Sequence, residues 1–184
     1  MSQARREDAQ RLFRRLVISD EDLYEALSFA DLLLSRQLCD PLVDWNDDGF
    51  LNGEDHIILR GLSQSAIVAY SRPFLSSKGA KAAKPVLPER IWKPLYDSDD
   101  LALHYELLAR RKRAVAHSDA DVWEAEVDIF AGRATVVTGP PIRDFDEQEL
   151  RRLISMIGKL IEELADRIEA HRQLFVPTPP VRST

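Results

Sequence analysis

A chain of 184 residues is the size of one domain and can bury a core without disulfides or metals to staple it. Its net charge of −6 excludes a generic nucleic-acid-coating protein, because non-specific binding needs clustered basic residues. The single Cys39 excludes an internal disulfide and a cysteine zinc cluster. No apolar run nears the roughly 20 residues that span a bilayer, and the charged start MSQARREDAQRLFRRL lacks a signal peptide's apolar core, so a cytoplasmic setting is expected.

The chain reads as mainly all-α. Residues 3–16 predict a short helix with Leu12, Phe13, Leu16 and Val17 on its apolar face, within a helical arm over 1–18. Ser19 is placed to cap a second helix over 20–38, with Asp20, Glu21 and Asp22 at its positive end. Leu23, Leu27, Ala30, Leu34 and Leu38 form its stripe, widened by Ala26 and Leu33. Residues 40–55 are an acidic loop, and a third helix comes next over 55–70, with Ile58, Leu62, Ser65 and Ala69 on one side. Pro85 and Pro88 punctuate a loop over 75–90, and a short helical turn is expected over 88–93.

Ser98 is then placed to cap the central helix, with Asp99 and Asp100 in its first turn, and the stretch LALHYELLARRKRAVAHSD runs from Leu101 to Asp119. At about 100° per residue, Leu101, Tyr105, Leu108 and Val115 share one face, with Leu107 beside them. His104 and Arg111 fall inside that face, whereas Arg110 and Arg113 fall outside it as surface charges. A guanidinium in an apolar stripe must be paired, snorkel, or line a wet cavity or interface, so Arg111 stands out. His117 lies six residues further on, where a straight helix would turn it about 120° away from Arg111. The two converge only if the helix ends between them or if two copies meet. Without such convergence, His117 is a histidine at a helix C-terminus.

Alternation of Trp123, Ala125, Val127 and Ile129 with Glu124, Glu126 and Asp128 predicts a strand, and ATVVT a return strand, giving one β-hairpin near 122–138. Asp144 or Asp146 then caps a long C-terminal helix to about 172. Leu150, Ile154, Ile157, Ile161, Leu164 and Ile168 form its stripe, flanked by Leu153, Met156 and Leu160, which marks core or a helix–helix dimer seam. A helical domain is expected over 19–174 and a disordered proline-rich tail over 175–184.

The acidic loop carries a calcium-loop pattern. Asp44, Asn46, Asp48, Asn52 and Asp55 stand at ligand positions 1, 3, 5, 9 and 12, with Gly49 at the sharp turn and the Phe50 carbonyl as a further ligand. Against this, Pro41 interrupts the entering helix, Asp55 replaces the long bidentate Glu, and such loops usually come in pairs. An Asx-rich surface turn has the same composition.

Arg111, five residues and His117, inside LLARRKRAVAHSD, together with AIVAYSRPF at 66–74, resemble the abortive-infection-like branch of the HEPN superfamily (higher eukaryotes and prokaryotes nucleotide-binding). The likeness covers about residues 20–172. It implies a HEPN-like helical bundle, commonly a homodimer whose two motifs face each other. It also implies a metal-independent endoribonuclease that needs no cofactor, often a toxin–antitoxin or phage-defence component with a cognate antitoxin protein. Arg111 and His117 would then be catalytic, Arg111 holding the scissile phosphate and His117 moving a proton, with Lys112 and Arg110 as substrate-binding neighbours. Family members usually follow the motif Arg with Asn, Asp or His, where this chain has Lys112. A non-catalytic HEPN-like dimeric module that binds a partner protein or nucleotide is the alternative, and a calcium-binding helix–loop–helix protein the third reading. None of these involves a membrane.

Overall fold

A computed structural model describes residues 3–39, 53–75, 86–115, 125–130, 133–138 and 145–175. The architecture is helical. In chain order come α1 (Gln3–Ser35), α2 (Gly53–Ser71), a 3-10 turn at Arg72–Phe74, the single turn α3 (Glu89–Trp92), a second 3-10 turn at Lys93–Leu95, α4 (Ser98–Val115), strands β1 (Ala125–Phe130) and β2 (Arg133–Thr138), and α5 (Glu147–Phe175). The two strands pair antiparallel, in a register running from Ala125↔Thr138 to Phe130↔Arg133. Among the described residues no helix is long and apolar enough to cross a membrane.

α1 corrects the sequence reading twice. It runs unbroken from Gln3 to Ser35, and Ser19 is buried in its middle instead of capping a new helix. The reason is packing: Leu16, Leu23, Ala26, Ala30 and Leu33 are fully buried on one continuous stripe, which carries the helix through the SDED segment. The helix also stops before the expected 38. Gln37 takes a left-handed conformation (φ 55°), and the Leu38 N–H returns to the Leu33 carbonyl at 3.4 Å.

α5 supplies the other half of the core. Leu150, Leu153, Met156, Ile157, Leu160 and Leu164 are buried, along with Ile161 and Ile168. They pack into the same apolar cluster as the α1 stripe and Ala66, Ile67, Ala69 and Tyr70 of α2. The long stripe is therefore core within one chain. Asp146 caps this helix: its Oδ1 accepts the Glu149 N–H at 2.8 Å, and Glu149 Oε2 accepts the Asp146 N–H at 3.4 Å.

Candidate functional site

α4 is held by polar side chains. A capping box starts it one residue earlier than the sequence indicated: Asp97 Oδ1 accepts the Asp100 N–H at 2.8 Å, so the cap is Asp97, not Ser98. Its core-facing stripe is Asp100, Leu103, His104, Leu107 and Arg110, of which only two are apolar. The stripe expected from Leu101, Tyr105 and Leu108 points elsewhere: Leu101 and Leu108 are half-buried and Tyr105 is 50% exposed. The true core face is turned by about 100°, roughly one residue, from the face with the highest hydrophobicity.

Each polar residue on that stripe has a partner on a neighbouring element. Asp100 accepts from Lys159 at 2.8 Å and from Arg152 at 3.1 Å, both on α5. His104 Nδ1 lies 2.8 Å from the Tyr70 hydroxyl of α2. The rings of Trp92 and Phe74 approach the imidazole at centroid distances of 4.3 and 4.6 Å. Burial pushes His104 down to about 4 and holds Tyr70 well above the usual phenol range, so a neutral imidazole and a protonated phenol share this bond.

Among the described residues Arg110 is the deepest charge on α4, 1% exposed. It donates to Glu106 at 2.5 Å and to Glu149 of α5 at 2.8 Å, and lies 5.8 Å from the centre of the Phe145 ring. Burial alone would lower its pKa; the two carboxylates outweigh that and keep it raised. The expected roles of the two adjacent arginines are thus exchanged. Arg110, expected as a surface charge and substrate contact, is the buried and paired one. Arg111 lies half-buried, with no ion pair among the described residues, and Lys112 is exposed.

The YSRPF segment ties three helices together, which its sequence does not announce. Tyr70 and Phe74 close on His104 of α4. Arg72 bonds to Asp22, at 3.3 Å, and to Glu25 of α1. Arg15 of α1, buried and with its pKa lowered by desolvation, donates to the carbonyls of Arg72, at 2.9 Å, and Pro73. The signal for such roles would be aromatic and charged residues just past a helix end, a pattern that composition reads as a loop.

His117 lies outside the described residues, as do Asp44, Asn46, Asp48 and Asn52 of the calcium-loop pattern. Asp55 is exposed in the first turns of α2. Among the described residues no three His, Cys, Asp or Glu side chains converge as metal ligands. Comparison with protein families, curated proteins and solved structures finds no match to this chain.

Proposed function

We propose that the chain is a cytoplasmic, HEPN-like dimeric domain that cleaves RNA without a metal or cofactor, in a toxin–antitoxin or phage-defence setting with a cognate antitoxin. The observation that carries this reading is the division between two adjacent arginines. Arg110 is consumed by Glu106 and Glu149, whereas Arg111, one residue on, is half-buried with no ion pair among the described residues. A half-buried arginine that no described carboxylate pairs is suited to an external anion.

Arg111 binds a non-bridging oxygen of the scissile phosphate and stabilises the charge that grows there as the 2′-hydroxyl attacks. His117 moves the proton, from the attacking hydroxyl or to the leaving 5′-oxygen. Exposed Lys112 adds a second phosphate contact, and Arg110 positions the turn from behind. Two copies meet through the outward Leu101–Tyr105–Leu108 face, which no other part of the described chain buries fully.

The test is cleavage of mixed cellular RNA in EDTA by wild type, Arg111→Ala and His117→Ala. The expected result is wild-type cleavage that falls at least about 100-fold in His117→Ala, the usual worth of a general acid or base. Equal cleavage by wild type and His117→Ala, or none by wild type, overturns the reading. Lys112, in place of the family's Asn, Asp or His, favours one second reading: a non-catalytic dimer that binds a partner protein or nucleotide through the same face. It predicts binding without cleavage.

A further inference from the structure

The basic cluster on α4 loses one member to the fold, because Arg110 faces inward between two glutamates. Among the described residues, a solvent-facing concentration of positive charge lies at the start of α1. Residues 3–15 carry five arginines against Glu7 and Asp8, a net +3 in a chain of net −6, so the rest of the chain carries −9. Arg15 is spent on the carbonyls of Arg72 and Pro73, where α1 leaves the core. Arg5, Arg6, Arg11 and Arg14 are exposed, as is almost every residue from Gln3 to Arg11. Only Arg11 has an ion pair among the described residues, with Asp8 at 2.5 Å, and both members of that pair are 69% exposed.

This arrangement works against the helix. The positive end of a helix favours acids, yet the first turn of α1 contains none, and Arg5 and Arg6 lie close to it. Nor does the segment help the core, since QARREDAQR carries no apolar side chain larger than alanine. A charge placement that breaks a local rule without a packing return marks a functional surface. Without apolar side chains larger than alanine, residues 3–11 have no face to bury in lipid. A projecting cylinder with arginines all round suits a flexible phosphate backbone, which needs charge and not shape.

We propose that the first three turns of α1 are a phosphate-backbone arm, with Arg5, Arg6, Arg11 and Arg14 holding single-stranded RNA through non-specific electrostatic contacts. This rests on the RNA reading above for its ligand class. The net charge of the rest of the chain opposes the strand, so among the described residues binding falls to the arm and to the Arg111–Lys112 turn. The arm's root adjoins α4: Arg15 reaches the Pro73 carbonyl, and the next residue, Phe74, has its ring 4.6 Å from that of His104.

The test measures binding of a fluorescent single-stranded RNA against salt, using the full chain in EDTA. Arg5→Gln, Arg6→Gln and Arg14→Gln are combined in one protein. A control combines Arg36→Gln, Arg90→Gln and Arg172→Gln, an equal charge change at exposed sites elsewhere. A slope of about −0.7 per phosphate contact predicts that the arm variant loses about 2 from its log–log salt slope. The control keeps the wild-type slope, and lysine at the three arm positions restores it. Equal losses in both triple variants, an unchanged slope in the arm variant, or arm-dependent binding to phosphatidylserine vesicles but not RNA overturns the proposal. Arm-dependent binding without wild-type cleavage keeps the arm and removes the ribonuclease. Wild-type cleavage with an unchanged arm slope does the reverse.

Discussion

Arg110 of α4 and Glu149 of α5 close at 2.8 Å with the guanidinium 1% exposed, while the next residue, Arg111, has no ion pair among the described residues. Two neighbouring arginines therefore have opposite consequences when removed. Truncating one member of a buried pair leaves the other charge uncompensated, so Arg110→Ala is expected to destabilise the fold by about 3 kcal/mol. Arg111→Ala removes no ion pair among the described residues and is expected to cost far less, about 0.5 kcal/mol. Urea unfolding of both variants decides it. Similar midpoints for the two proteins would contradict this division.

His104 makes the fold sensitive to acid. Burial keeps its imidazole neutral down to about 4, whereas in the unfolded chain it takes a proton near 6.5. Between those values the unfolded state binds more protons at this site, so the His104 contribution to stability falls as pH drops from 6.5 toward 4 and is constant above that window. The shift corresponds to up to about 3 kcal/mol. The groups around the ring do not offset it: Tyr70 and Tyr96 stay protonated, Asp100 is bound by Arg152 and Lys159, and Glu89 acts only at a distance. His104→Phe should flatten this limb while keeping the ring contacts with Trp92 and Phe74. Unfolding midpoints measured from pH 4.5 to 7.5 read the effect, and parallel curves for wild type and variant would rule it out.

How much of this is legible in the sequence depends on what each helix buries. α5 is readable because its core face is made of leucine, isoleucine and methionine at helical spacing, so pattern and burial coincide. α4 misleads because its core face includes Asp100, His104 and Arg110, whose partners lie 30 to 60 residues away in the chain. A wheel weighted by hydrophobicity turns toward Leu101, Tyr105 and Leu108 instead. Ser19 misleads for a related reason. Ser followed by three acids is a good helix start in isolation, but burial of Leu16 and Leu23 on either side of it overrides the local signal. Within the candidate site, the wheel singles out Arg111 as unusual, but the buried, paired guanidinium belongs to Arg110.

Ser19 bears a cost because of that override. Its hydroxyl is buried and has no hydrogen-bond partner among the described residues. Ser19→Ala removes an unsatisfied polar group and improves helix propensity, so a gain of about 1 kcal/mol is expected. In a chain of this size that raises the melting temperature by about 2–4 °C. A lower melting temperature would mean that the hydroxyl is satisfied, for example by a buried water.

Gln37 ends α1 in the left-handed region, at φ 55°, where a side chain other than glycine or asparagine is disfavoured. The next residue imposes this conformation: the Leu38 N–H returns to the Leu33 carbonyl, and the Leu38 side chain is 6% exposed against the core. Gln37→Gly relieves the strain in the folded state but also frees the unfolded chain, so the net gain is expected to be about 0.5–1 kcal/mol. Gln37→Val should lose more than that, because a β-branched residue fits this region worst. Thermal unfolding of the two variants gives opposite signs if the left-handed turn persists in solution. A common sign would show that α1 ends there in another way.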